Sequence, residues 1–323
     1  MCVNKSYLGQ SIDNDFDVVV LWPKILGDAM MSVHALRCYP DFYKEAKVLI
    51  VTESVYKNLF MIIFNDHAVK SYSEISGLVS VGKIIDFRGD EVSKSIKSNF
   101  NCGDQFALDF GEELAIVVVK NTEHYSLNCS NINAFFDQED VRHQHAWFMD
   151  VILVSEALGM PIRYPRQDLK QYRSSDNSVS VIKTILCFPC GSNSIKHYPV
   201  ENWLLIIQAL INAGFNVTVF LGDTEKEHQA AFSVFAPTFL NTPLENIVRH
   251  YFNDETLVVA NDCGPLNVAA LFGVKLVGIF GSTNEKIWFP YQYGQAVRGL
   301  NSEWPTTDEV LNVINHCIAM SSL

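Results

Sequence analysis

Between Thr256 and Phe280 the chain leaves room for little except a strand, a helix and a second strand lying parallel to the first. A short apolar run, Thr256-Leu257-Val258-Val259-Ala260, leads into Asn261-Asp262-Cys263-Gly264-Pro265-Leu266-Asn267 and then into an apolar stretch that stops at Gly273. Lys275-Leu276-Val277-Gly278-Ile279-Phe280 follows at once. Short apolar runs bounded by turn residues read as buried strands, and the longer stretch between them reads as a helix. Strands joined through a helix are parallel. The turn at Asp262–Gly264 is then at the carboxyl edge of a sheet, where the free N–H groups of a helix N-terminus favour an anion such as a diphosphate.

The same alternation recurs along the chain. Asp17–Leu21 reads as a strand, and the loop Trp22–Asp28 opens a helix running to about Tyr39. Lys47–Thr52, Lys83–Phe87 and Leu114–Val119 read as further strands, with a helix through about Phe64 and another over His143–Leu158. A second alternation has strands at Ile185–Phe188 and Asn216–Leu221 and helices at Val200–Asn212, Glu225–Phe235 and Leu244–Tyr251. An amphipathic helix over Thr306–Met320 closes the chain. Its 323 residues suffice for two cores of ordinary size. The expected fold is α/β: two doubly wound, parallel-sheet domains facing across a cleft. We place the first at residues 1–165, a polar linker at 166–180 and the second at 181–305. The terminal helix, 306–323, is free in this reading to pack back on the first domain.

Charge and cysteine content narrow the function. With 48% hydrophobic and 19% charged residues the chain is globular. A net charge of -12 excludes general nucleic-acid binding, which needs a basic footprint. It also opposes attraction to an anionic membrane, although a local basic patch could still allow transient contact with an inner-membrane surface, and Lys24, Arg37, Arg142 and Arg298 could form a local patch for an anionic substrate. No apolar run has transmembrane length, and Met1–Asp17 lacks the basic and apolar regions of a secretory signal. Eight cysteines in a chain this long make no disulfide framework, and Cys187 and Cys317, set in apolar stretches, read as reduced thiols. A cytoplasmic protein is expected.

Three loops carry candidate chemistry. Gly27-Asp28 puts a carboxylate at a helix start, as a functional acid or as a partner of the helix dipole. The stretch Gly191–Pro199 supplies N–H groups, the hydroxyls of Ser192 and Ser194, and Lys196, a set suited to phosphate oxygens or to a solvated turn. After another strand, Glu225 and Glu227 could accept the hydroxyls of a ribose or simply enrich a first helical turn in acid. Other patterns fail. Gly77–Ile84 has P-loop spacing with Ile84 in place of the metal-binding hydroxyl, and Cys187-Phe188-Pro189-Cys190 is a lone C-x-x-C. His143 and His145 are two residues apart, on different faces of a helix. No metal site is expected.

In chain order these segments resemble the ADP-heptose:lipopolysaccharide heptosyltransferases, glycosyltransferase family 9, which are inverting enzymes of the GT-B fold. The resemblance is carried by Gly27-Asp28, Lys196-His197-Tyr198-Pro199 with Trp203, Gly222 with Glu225, Asn261-Asp262-Cys263-Gly264-Pro265, Gly278–Thr283 and Pro290-Tyr291. It implies Asp28 as general base and Lys196, Ser192 and Ser194 as ligands of the donor phosphates. It implies that Asp262, Cys263, Gly264 and Asn267 lie about the donor sugar and diphosphate, and that Glu225 or Glu227 holds the ribose. The donor would be ADP-heptose or another nucleotide-diphosphate sugar, with no further cofactor, and the acceptor a lipopolysaccharide core, another glycan or a glycolipid. Asn267 stands where the family usually has histidine, and Cys263 where serine or threonine is common, so a related sugar is admitted. Two other readings share the architecture: a sugar-nucleotide epimerase, and a nucleotide-sugar-binding protein without turnover.

Overall fold

The computed structural model describes residues 16–23, 25–39, 45–110, 116–120, 123–126, 146–161, 181–191, 193–290, 294–300 and 303–321; the expected linker, 166–180, lies outside them. The chain divides into two compact units, each built on its own sheet.

The first sheet holds β1 (Phe16–Leu21), β2 (Val48–Thr52), β3 (Ala68–Ser71), β4 (Val79–Asp86), β5 (Phe100–Phe110), β6 (Ile116–Lys120) and β7 (Glu123–Ser126), in the order β3-β2-β1-β4-β5-β6-β7. The strands from β3 to β5 are parallel. At the far edge β6 and β7 pair antiparallel, which the strand–helix alternation did not anticipate. The cause is length: only residues 111–115 and 121–122 separate these strands, and a parallel crossover needs a dozen or so. Val19, Leu21, Leu49, Val51 and Ile84 share one core beneath the sheet. The P-loop-like stretch is mostly β4, as its apolar alternation requires.

The second sheet is wholly parallel. It holds β8 (Thr184–Phe188), β9 (Asn216–Leu221), β10 (Thr238–Leu240), β11 (Thr256–Asn261), β12 (Lys275–Phe280) and β13 (Gly294–Arg298), in the order β10-β9-β8-β11-β12-β13. Both faces are covered, and the strands show it residue by residue. Ile185 and Cys187 of β8 enter one core with Trp203, Ile207, Val259 and Ile279. Leu186 and Phe188 enter the other with Val258, Ala260, Leu266 and Leu276. Alternate side chains of a strand point to opposite faces, so a sheet buried twice needs the near-continuous apolar runs seen in the sequence.

Ten α-helices are described: α1 (Leu26–Arg37), α2 (Lys57–Ile63), α3 (Glu91–Lys97), α4 (Ala146–Leu158), α5 (Val200–Asn212), α6 (Gln229–Ser233), α7 (Leu244–Tyr251), α8 (Gly264–Leu271), α9 (Glu285–Trp288) and α10 (Thr307–Met320). By contacts, α1 and the first half of α4 belong with the second sheet, although they precede it in sequence. α10 begins with a capping box, Thr306 N donating to Glu309 Oε2 at 2.7 Å and Glu309 N to Thr306 Oγ1 at 3.3 Å. Its Val310 and Ile314, one turn apart, are buried in the core of the second unit. Among the described residues no helix is long and apolar enough to cross a membrane.

Candidate functional site

In the second sheet β8 and β11 are neighbours whose onward connections run in opposite directions, to β9 on one side and β12 on the other. In open α/β sheets the crevice at such a switch point, outside the carboxyl ends of the strands, is where ligands bind. The loops leaving these two strands carry Lys196 and Asp262. After β8, Asn193 caps a 3-10 turn over Ser194–Lys196, its Oδ1 accepting from Ile195 N at 3.1 Å. That turn sets Lys196 to donate to Asp262 Oδ2 at 2.7 Å, with side chains 24% and 8% exposed. The ammonium also lies 6.0 Å from the centre of the Trp288 ring, within cation–π reach. Sequence gave no signal for Trp288, which follows an unremarkable polar loop.

Two helix starts meet here. α8 opens at Cys263 and α1 at Ile25, and neither N-cap residue makes a side-chain capping bond. Their first N–H groups are left for other acceptors. The two helices pack closely: a Cβ added at Gly264 would stand 2.5 Å from Leu26 Cδ2 and 2.9 Å from Leu26 Cβ. Only glycine allows that approach. At the far end Arg37 donates to the Leu271 carbonyl at 3.3 Å. Asn267, buried within α8, donates to the Cys263 carbonyl at 3.4 Å.

This packing brings Asp28, in the first turn of α1, into the electrostatic field of the pair. Burial raises the Asp28 pKa, Lys196 draws it back down, and Asp262 pushes it up. A partly desolvated carboxylate beside a lysine that also answers to a second acid is suited to taking a proton.

Glu225 occupies a different position from the open helical turn expected of it. It is 1% exposed. Its Oε2 accepts from Gly222 N at 3.0 Å, and its Oε1 from Thr224 Oγ1 at 2.6 Å and Gly191 N at 3.3 Å. The His197 Nε2 atom lies 3.0 Å from Gly191 O and 3.2 Å from Glu225 Oε1. The expected helix over Glu225–Phe235 is instead a 3-10 segment, Asp223–His228, followed by the short α6, because Glu225 turns back to satisfy the loop. Glu227 is exposed, 3.6 Å from His228. Asn261, the last residue of β11, is fully buried, and among the described residues neither of its side-chain polar atoms has a hydrogen-bond partner.

Of the remaining candidates, Ser194 is exposed on the 3-10 turn and Ser192 lies outside the described residues, as do Lys24, Arg142 and Tyr291. Arg298 is committed to Glu285 at 3.1 Å and Arg37 to α8. Among the described residues no group of three or more His, Cys, Asp or Glu is placed to hold a metal ion.

The profile of Glycosyltransferase family 9 (heptosyltransferase) matches residues 129–317, more than half of the chain. The chain belongs to glycosyltransferase family 9. It is a glycosyltransferase, and its two sheets place it among the GT-B heptosyltransferase folds. A family 9 glycosyltransferase from Veillonella parvula superposes with a TM-score of 0.68 at 14% identity, over 96% of this chain and 99% of that one. Heptosyltransferase WaaC of E. coli, solved with ADP, gives 0.64 at 16% identity over 93% and 99%. ADP-heptose lps heptosyltransferase II of E. coli gives 0.66 at 14% identity over 95% and 100%. At these identities the likeness is one of fold. No curated protein matches the sequence.

Proposed function

We propose that this family 9 glycosyltransferase transfers a heptose or related sugar from ADP-heptose, or another nucleotide-diphosphate sugar, to a lipopolysaccharide-core glycan or glycolipid with inversion. In this reading residues 1–165 serve the acceptor and 181–305 the donor. The enzyme is cytoplasmic and meets its acceptor at the inner-membrane surface. The observation that carries the proposal is the Asp28, Lys196 and Asp262 set at a sheet switch point, beside two uncapped helix starts. A single in-line displacement needs a base on the acceptor side and charge stabilisation on the leaving side.

Asp28 takes the proton of the acceptor hydroxyl as its oxygen attacks the anomeric carbon. The bond from that carbon to the diphosphate breaks, and its electron pair leaves with the nucleotide. Lys196, the N–H groups at the start of α8 and the hydroxyls of Ser192 and Ser194 receive the charge, a metal-independent arrangement. Asp262, Cys263, Gly264 and Asn267 border the sugar. For the ribose, Glu225 would exchange the Thr224 hydroxyl for a ribose hydroxyl, whereas the exposed Glu227 needs no exchange.

Purified enzyme incubated with ADP-heptose and core-glycan acceptors is expected to release ADP. Asp28→Asn is expected to lower kcat by about 10²–10⁴ with donor affinity unchanged, the usual contribution of a general base. Full turnover by that variant would remove Asp28 from the role, and no ADP release from any heptose donor would sink the donor assignment.

A further inference from the structure

Asp150, on α4, is tied to the helix that carries Asp28 by a single hydroxyl. Ser32 Oγ lies 3.0 Å from the Asp28 carbonyl oxygen and 2.8 Å from Asp150 Oδ2. Ser32 is 1% exposed, so bulk water does not share these contacts. A hydroxyl has one proton and two lone pairs, and can donate fully to only one of these oxygens. Both contacts are good hydrogen bonds together when Asp150 itself carries a proton. Asp150 then donates to Ser32 Oγ, and Ser32 donates to the Asp28 carbonyl.

The charges agree with that count. Among the described residues the charged group facing Asp150 is Asp28, while Asp28 faces Lys196 and Asp262. Two neighbouring carboxyls do not ionise equally well, and the one beside a cation loses its proton first. Lys196 stands by Asp28, so Asp150 is the one that stays protonated. Burial, with the Asp28 charge adding to it and the Ser32 contact opposing it, pushes Asp150 up to about 7.

We propose that Asp150 is a positioning residue for sugar transfer: as a neutral carboxylic acid it completes the Asp150–Ser32–Asp28 hydrogen-bond chain and fixes the helical turn that presents the base. The proposal rests on the reading of Asp28 as base. When Asp150 ionises, Ser32 turns its only proton to the new carboxylate, and the Asp28 carbonyl loses its side-chain partner. The first turn of α1 slackens. A base must be held within about 0.5 Å of its productive place, so turnover falls.

The test is a kcat–pH profile of the full-length enzyme, read as ADP release with saturating ADP-heptose and acceptor. Wild type is expected to lose kcat several-fold as pH rises through about 7. Asp150→Asn, whose amide donates to Ser32 at every pH, is expected to keep the acid-side kcat and to lose this inflection. Asp150→Ala and Ser32→Ala, with unchanged melting curves, are each expected to lower kcat about tenfold with little change in KM, as misplacement of a base does. An Asp150→Asn profile that keeps the wild-type inflection overturns the proposal. So does wild-type kcat in a folded Asp150→Ala enzyme. Asp28→Asn, measured in parallel, separates the two claims: its inactivity with a silent Asp150 series defeats this inference alone, whereas its full activity defeats the base assignment beneath it.

Discussion

Lys196 donates to Asp262 at 2.7 Å and lowers the proton affinity of Asp28. In Lys196→Met the stem survives and the charge goes. Asp28 then loses the influence that favours its ionised form and keeps the two that oppose it, burial and Asp262. Its pKa rises, a smaller fraction is ionised at any given pH, and the acid limb of kcat should move to higher pH. The lost stabilisation of the leaving diphosphate should also lower kcat by about 10²–10³, the cost of one preorganised charge donor. A pH–rate series on the variant reads both, and an unmoved acid limb would show that Lys196 does not act on the base. The same burial bears on stability. Asp28 has a folded pKa above its unfolded value, so its ionisation opposes folding, and that penalty develops as pH rises from the unfolded toward the folded value. Asp28→Asn should therefore melt above wild type at neutral pH and converge with it in acid, as checked by calorimetry. At this scale the sequence was informative where a strand runs straight into a helix: Asp28, Lys196 and Asp262 each stood out as a candidate in its own loop, and the structure brings the three near one another. Glu225 stood out as well, but its burial did not, because that depends on a contact with Gly191, far away in the chain. Asp150 lay hidden in a helix legible only by its apolar spacing.

At the scale of elements, the packing of α1 on α8 decides whether the base reaches its partners. Gly264 is where they meet, facing Leu26, two residues before Asp28. Gly264→Ala adds a methyl 2.5 Å from Leu26 Cδ2 and 2.9 Å from a Cβ fixed to the backbone, so a side-chain rotation cannot relieve all of it. The variant should lose about 1–3 kcal/mol of stability, the typical cost of overpacking, and more than tenfold in kcat as α1 is displaced. Denaturant melts and ADP-release kinetics measure the two, and a stable, fully active variant would show that the helices need not touch so closely. Buried strands such as β8 and β11 and strongly amphipathic helices such as α5 and α10 were evident from composition and period; β5, the longest strand, was not, because Asn101, Gly103, Asp104 and Gln105 break up its apolar run. The short edge strands β3, β10 and β13 were not, since an edge strand of a few residues carries too little apolar signal. The β6–β7 pairing was also missed, because it is set by connection length rather than by the residues of the strands.

At the scale of the molecule, α1 is adjacent in sequence to the first sheet and belongs by contact to the second unit. Sequence order alone assigned it to residues 1–165, because a local reading cannot see Leu26 against Gly264. The difference has an energetic consequence that a ligand would expose. A nucleotide that binds the native second unit stabilises whatever opens with that unit, by about 2.7 kcal/mol at a hundredfold excess over Kd. If α1 unfolds with the second unit, its slowly exchanging amides gain the same protection as those of β8 and β11, close to 100-fold. Strands β1 and β2, in the first unit, should show little change. Native-state hydrogen exchange with and without ADP separates the possibilities by peptide. Protection shared by Leu26–Arg37 and the second sheet would mean that the helix bearing the base is ordered by the unit that binds the nucleotide. Protection of the second sheet with α1 exchanging alongside β1 would show that the base is carried by the first unit, and that donor binding does not fix its place.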